Sequence, residues 1–238
     1  GEIIAALVKS NLLSLNVEKL KVDEATKNTK ILVKQKLESL ADDLKNSERP
    51  IIIAGHGVWW SGAEAHLEKV SIALKIPVFN VPYHQKVLSE NCESYMGLAD
   101  FHQYHPSKKA IQDADVILMI GGRLDNQMNF GNPPFFPESA RLLCINGSHE
   151  ELEYNRGADD ILLSDPEAFL AAIEHLKMSW DTWFNLQKER RAVWVQEWFH
   201  HVEAEAKKDN EEKKKMHPLQ LSLDVQNYME EGDWLVFD

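Results

Sequence analysis

The apolar residues of this chain fall into short continuous runs, separated by stretches in which they recur every three or four positions. Five runs read as strands: Pro50–Ala54, Ile76–Val81, Asp115–Ile120, Arg141–Asn146 and Asp160–Leu163. Their consecutive apolar, branched side chains are the pattern of strands buried on both faces of a parallel sheet. Between them the spacing turns helical. Ile31, Val33, Leu37, Leu40, Ala41 and Leu44 predict a helix that Asn46-Ser47-Glu48 ends before Pro50. A second helix opens near Ser61 and runs through Leu67, Val70, Ile72 and Leu74, and shorter ones are predicted at Ser107–Asp113, Glu150–Tyr154 and Pro166–Leu176. The stretch from Val81 to His105-Pro106 reads as a long loop. Strands alternating with helices predict an α/β fold: a parallel sheet of five or six strands with helices on both faces, Rossmann-like, the architecture of FAD- and NAD-binding domains. Right-handed crossovers then bring every turn that follows a strand to one edge of the sheet.

The flanks follow another pattern. Ile3–Lys9 is a short helical run, Leu12–Val17 an extended one, and Lys21–Lys30 a polar connector. Beyond Met178 comes an aromatic, charged helix with Trp180, Trp183, Leu186, Trp194, Trp198 and Phe199, ending in the mixed charges of Lys207–Lys215. It reads as a connector rather than core, and the acidic and basic residues on its polar face favour packing of the aromatic stripe against a domain surface over a ligand box or a membrane-surface helix. After Met216-His217-Pro218 a new helix starts at Leu219, Gly232 ends it, and Trp234–Phe237 reads as a strand. The chain does not begin with Met and stops within that apolar run, so it is expected to be a piece of a longer chain.

Composition narrows the picture. An apolar fraction of 44% over 238 residues is that of a soluble globular protein. No apolar run approaches the roughly 20 residues that cross a bilayer. The first residues carry no basic leader or small-residue cleavage pattern, so no secretory signal is read there. A net charge of −12 disfavours nucleic acid, because phosphate contacts need a cationic face. Cys92 and Cys144 are the only cysteines, too few for a zinc tetrad and without a CxxC element, which points to a reducing cytoplasm.

Candidate chemistry gathers after the strands. Gly55-His56-Gly57 follows the first one, where glycines let backbone approach a phosphate and leave helix amides to bind it. With the next glycine at Gly62 the pattern is GxGxxxxG, neither the dinucleotide fingerprint nor a P-loop, and a purely geometric turn is the competing reading. Gly121-Gly122-Arg123-Leu124-Asp125 places a guanidinium at a second turn, to pair with a phosphate, stack on an adenine or pair with Asp125. Asn146 ends the fourth predicted strand, where nucleotide-binding sheets often carry an acid for the ribose hydroxyls; an amide accepts fewer such bonds. His102 and His105 at HxxH spacing, His200-His201, His56 and His149 lack a carboxylate or cysteine cluster and read as surface or loop residues. No GxSxG elbow or cysteine nucleophile is seen.

With these residues in view, the stretch from about Arg49 to Leu176 resembles the central domain of thiamine-diphosphate enzymes such as acetolactate synthase, oxalyl-CoA decarboxylase, 2-hydroxyacyl-CoA lyase and benzaldehyde lyase. The matching residues are Arg49 to Val58 with Ser61-Gly62-Ala63, Ile76-Pro77-Val78 and Gly122-Arg123-Leu124-Asp125. Phe130-Gly131-Asn132-Pro133-Pro134, Phe136 and Ile145 to Leu152 look closest to the acetolactate synthase branch. The resemblance implies four parts: residues 1–30, a remnant of an upstream pyrimidine-binding domain and linker; 31–177, the central domain; 178–215, a helical linker; and 216–238, the start of a diphosphate-binding domain. It further implies thiamine diphosphate and Mg²⁺ held outside this chain, since the activating glutamate lies upstream and Gly232-Asp233 is followed by Trp234 rather than by the glycine of a GDG motif. The parent enzyme would be a homodimer or homotetramer that joins or cleaves carbon bonds of 2-oxo or 2-hydroxy acids, inactive as this piece alone. Some relatives place FAD or ADP on the central domain, which carried over singly gives Gly55, His56, Gly57, Arg123 and Asn146 as contacts. His56 stands where a glycine is common, Asn146 and Ser148 where aspartates are usual, and Ser164 where a glycine precedes Asp165. These departures point to a vestigial or altered nucleotide site; the alternative is a regulatory module for FAD, ADP or coenzyme A.

Overall fold

The computed structural model describes residues 36–82, 87–102, 106–152, 155–212, 218–230 and 232–233. The expectations for Ile3–Lys9, Leu12–Val17 and Trp234–Phe237 lie outside them. The chain divides into two compact units, Gly1–Glu189 and Arg190–Asp238.

The first unit is built on six parallel strands, β1 (Pro50–Ala54), β2 (Val78–Asn80), β3 (Tyr95–Leu98), β4 (Val116–Ile120), β5 (Arg141–Asn146) and β6 (Asp160–Leu163), in the order β3-β2-β1-β4-β5-β6. The five strands expected from the sequence are all present. The sixth, β3, lies in what reads as a long loop. Its Tyr-Met-Gly-Leu has no β-branched residue and carries a glycine, and it pairs with β2 through a register shift at Val78/Phe79. Position at the sheet edge, rather than local propensity, makes it a strand.

Alternation along each strand feeds two cores. Ile52 and Ala54 of β1, Val116, Leu118 and Ile120 of β4, and Leu143 and Ile145 of β5 face one. There they meet α1 (36–45) through Leu40 and Leu44, α3 (Glu64–Leu74) through Leu67, Val70 and Leu74, and α6 (Pro166–Ile173) through Phe169, Leu170 and Ile173. Ile51, Ile53, Ile117, Met119, Leu142 and Cys144 face the other core, closed by Ala110 and Ile111 of α4 (Pro106–Asp113) and Leu152 of α5 (His149–Leu152). At about 1.5–3 kcal/mol per buried large aliphatic side chain, these faces are the main source of the unit's stability. Local signals set the helix ends. The Asp165 carboxylate accepts from the Glu167 amide at 2.9 Å ahead of Pro166, and Lys75 ends α3 in the left-handed conformation.

Two further expectations need correction. The turn after β1 is itself helical: α2 (His56–Trp60) precedes the Ser61-Gly62 turn, and the longer helix opens at Glu64 instead of Ser61. The first turns of α7 (Asp181–Glu212) are core instead of connector. Trp183 and Phe184 are buried in the second core, the Trp183 indole donates to Pro50 O at 3.0 Å, and that of Trp180 donates to Ser47 O at 3.0 Å. A tryptophan that caps a strand's entry carbonyl satisfies both its apolar body and its polar tip.

The second unit holds the rest of α7 and α8 (Pro218–Tyr228). Within it the Trp194 and Trp198 rings stack at 6.4 Å, and Phe199 meets Trp198 edge-on at 5.1 Å.

Candidate functional site

The strand order reverses between β1 and β4, and in sheets of this kind the space beyond the carboxyl ends of those two strands is the natural ligand crevice. A cleft of about 370 Å³ opens there. Four strand ends build it: His56, Gly57 and Trp60 after β1, Val81 and Pro82 after β2, Gly121, Gly122, Arg123 and Asp125 after β4, and Asn146 and Glu151 after β5. Of the five residues singled out from the sequence, His56, Gly57, Arg123 and Asn146 line the cleft, and Gly55 precedes His56 in the same turn.

The glycines do not hold the space a phosphate would fill. A Cβ on Gly55 would lie 2.3 Å from Gly122 Cα, and one on Gly57 would lie 2.7 Å from Gly121 Cα. The turns after β1 and β4 cross backbone on backbone, and side-chain-free positions are what permit the crossing. Gly121, at φ +62°, adds a left-handed conformation. The amides are committed as well: Gly55 N–H donates to Ile120 O, Gly57 N–H to Gly121 O, Val58 N–H to Gly55 O and Gly121 N–H to Ile145 O, all at 2.8–3.0 Å. The expectation that helix amides stay open for an anion is therefore corrected at Gly57 and Val58, and α2 is only five residues long.

Arg123 pairs with neither Asp125 nor open solvent alone. Its Nε donates to Glu151 Oε2 at 2.6 Å and its Nη2 to Glu151 Oε1, a two-pronged pair to the first turn of α5. Asp125 instead caps a 3₁₀ turn, Asn126–Gly131, by accepting from Gln127 N–H at 2.9 Å. Asn146 bridges the turns: its amide donates to Gly122 O at 3.2 Å and its carbonyl accepts from Ser148 N–H at 3.0 Å. His56 sits in an aromatic group with Trp59 and Trp60, whose indoles meet edge-on at 4.7 Å; Trp60 is 75% exposed.

Sequence reading missed Glu151, Trp60, Val81 and Pro82 as cleft residues. An acid in the first turn of the helix after β5 is a usable signal for Glu151, while Val81 and Pro82 need the strand order to be known. Also missed is a polar seam between α3 and α6. His66 Nδ1 lies 2.6 Å from Glu167 Oε1 and its Nε2 lies 3.0 Å from Glu174 Oε2, and Lys69 Nζ donates to Glu174 at 2.9 Å. Hydrogen bonds to Glu167, then to Glu174, raise the His66 pKa above its ordinary 6.5, and donation from Lys69 and His66 holds Glu174 at about 2. Burial pushes the Cys144 thiol up to about 12, so it is no thiolate nucleophile. Among the described residues no group of three or more His, Cys, Asp or Glu is placed to hold a metal ion, and no helix is long and apolar enough to cross a membrane.

The doubly wound sheet with its switch-point cleft defines the chain's class as a dinucleotide-fold α/β domain. Residues 37–173 match the family described as thiamine pyrophosphate enzyme, central domain, and the chain belongs to that family. It is 30% identical over 128 residues to 2-hydroxyacyl-CoA lyase 1 of Mus musculus, covering 54% of this chain and 21% of that one. To a probable acetolactate synthase large subunit of Methanococcus aeolicus it is 28% identical over 156 residues, 64% of this chain and 26% of the relative. Among solved structures it is similar to benzoylformate decarboxylase from Polynucleobacter necessarius, with a TM-score of 0.50, 22% identity, and coverage of 60% and 27%. The thiamine diphosphate-dependent 4-hydroxybenzoylformate decarboxylase of Rhodococcus jostii RHA1 gives 0.52 at 17% identity with the same coverage. The chain thus spans about a quarter of the length of the relatives it matches.

Proposed function

We propose that this chain is the central spacer domain of a larger, cytoplasmic thiamine-diphosphate enzyme that joins or cleaves carbon bonds of 2-oxo or 2-hydroxy acids. The observation that carries this reading is the coincidence of the family match, residues 37–173, with the complete six-stranded sheet. On this reading residues 1–30 and 216–238 belong to the neighbouring domains, the part of 178–215 beyond the buried first turns of α7 leads to the downstream one, and thiamine diphosphate and Mg²⁺ are held by those neighbours in a homodimer or homotetramer. The sheet spaces the two cofactor-binding domains and helps subunits pair.

The residues of the cleft do not fit FAD or ADP as expected from the resemblance. The Cβ space at Gly55 and Gly57 is filled by the opposite turn, the Gly57 and Val58 amides are committed, and Arg123 is engaged by Glu151. This favours the spacer over a nucleotide-binding regulatory module. Calorimetry with thiamine diphosphate and Mg²⁺ on this chain is expected to give no binding heat, and incubation with a 2-oxo acid no carboligation product. The same chain extended through both neighbouring domains is expected to give both. Turnover by the chain alone overturns the reading.

A further inference from the structure

Asn146 and Gly147 form the one Asn-Gly pair of the chain, and the fold leaves that pair open to its own chemistry. Asn146, the last residue of β5, is half-buried, and Gly147 after it is exposed. With no side chain on Gly147, its peptide nitrogen can approach the Asn146 carboxamide carbon, the step that begins deamidation. Local geometry favours that approach. Asn146 Oδ1 accepts from Ser148 N–H at 3.0 Å, which folds the carboxamide back over the Gly147 peptide. The same N–H is in place for that oxygen when it gains charge in a tetrahedral intermediate. The neighbouring carbonyls of Ile145 and Asn146 are engaged by Gly121 and Ser164 N–H, whereas Gly147 N–H makes no hydrogen bond among the described residues.

We propose that Asn146-Gly147 is a spontaneous deamidation site of the folded chain, and that the reaction cuts a strap between the turns after β4 and β5. Gly147 N gives its proton to hydroxide and bonds to Asn146 Cγ. The Cγ–Nδ2 bond breaks, and ammonia leaves with a proton taken from water, so that a succinimide remains. One water then opens the ring: attack at Cγ gives aspartate, and attack at the backbone carbonyl gives isoaspartate. The net change is one water consumed and one ammonia released, with nothing oxidised or reduced.

The strap is the Asn146 amide, which donates to Gly122 O at 3.2 Å. A carboxylate has no proton to give, so its charge faces that carbonyl instead. Asp125 and Glu151 already line the same wall, and Arg123 is held by Glu151. In isoaspartate the backbone also gains a carbon at the end of β5, where Asn146 O accepts from Ser164 N–H. None of this rests on the spacer reading, which is decided by turnover.

Mass spectrometry of the full chain, incubated at pH 8 and sampled over weeks, tests the proposal. The tryptic peptide Leu142–Arg156 is expected to show the mass increase of an amide-to-acid exchange at Asn146 before any other asparagine reacts, and more slowly at pH 6, where hydroxide is scarcer. Gly147→Ala has room for its methyl group, with nothing within 4 Å of a Cβ there. That methyl group hinders the attacking nitrogen, and a rate at least about fivefold lower is expected. Asn146→Asp, which is one of the products, is expected to lower Tm by about 2–4 °C. An Asn146 that stays an amide in the chain while the free Leu142–Arg156 peptide is converted overturns the proposal, because the fold then protects the pair. An unchanged rate in Gly147→Ala overturns it as well. A Tm unmoved by Asn146→Asp overturns the strap.

Discussion

The cleft beyond β1 and β4 and the seam between α3 and α6 both bring charged side chains together, and they use them in opposite ways. At the cleft the backbone carries the structure: Gly55 and Gly57 cross Gly121 and Gly122 with no room for a Cβ, while the Arg123–Glu151 pair lies over the crossing with Arg123 about half exposed. At the seam the side chains join two helices directly, and the pKa values of His66 and Glu174 are both shifted there. A perturbed pKa is often read as the mark of a functional site, but here it marks helix docking. Of the residues that look functional in sequence, Gly55 and Gly57 are part of that backbone frame, while the Arg123 side chain lines the cleft it holds.

Gly55→Ala should give the largest effect, because its Cβ would meet backbone, which cannot rotate away as a side chain can. A destabilisation of more than about 3 kcal/mol is expected in urea unfolding, with loss of cooperative folding as the extreme outcome. Gly62→Ala provides the contrast. That position has open space around it and only a left-handed φ of +68° to penalise, so a cost of about 1–2 kcal/mol is expected. Equal costs at the two positions would remove the crossing from the account.

The seam is tested by pH. The folded-state pKa of His66 is raised, so its stabilising contribution is complete below about 6.5, its ordinary value, and is lost as pH climbs through the folded value. Glu174 is lowered from 4.5 to about 2, so its contribution is complete above 4.5 and is lost as pH falls toward 2. Between these limits the seam is at full strength. His66→Gln keeps one hydrogen bond but loses the cation, and is expected to lower Tm by about 2–4 °C at pH 6 and to converge on wild type above pH 8. A variant whose Tm deficit is the same at both pH values would make His66 a packing residue only. Lys69, which also donates to Glu174, should partly mask the loss at low salt.

What the sequence makes legible follows from how local each cause is. Five strands are apparent because residues such as Ile51–Ala54 and Val116–Ile120 are apolar on both faces, a requirement written into consecutive positions. β3 is not apparent, since Tyr95–Leu98 becomes a strand by pairing with β2. Trp183 reads as connector because its helix carries charge along its length, while its burial depends on Pro50, more than a hundred residues away. At the site, Gly55, His56, Gly57, Arg123 and Asn146 were found because turns after strands gather at one sheet edge whatever the strand order. Their partners were not found. Glu151 lies 28 residues from Arg123, and Glu167 and Glu174 lie 101 and 108 from His66, and no spacing rule links such pairs before the fold is known.

The smallest effect on stability is expected at Arg123, the most site-like residue in the sequence. Its pairing with Glu151 is two-pronged, yet Arg123 is 53% exposed and Glu151 27%. Water solvates both partners when they separate, and exposed ion pairs contribute at most about 1 kcal/mol. Arg123→Ala leaves Glu151 as a hydrated carboxylate rather than a buried one, and the Asn146 bond to Gly122 O persists without it. Urea unfolding is therefore expected to show a loss of no more than about 1 kcal/mol, several times smaller than for Gly55→Ala. A loss above about 2 kcal/mol would place Arg123 in the frame itself, and the division between a backbone that holds the cleft and side chains that line it would fail at its clearest point.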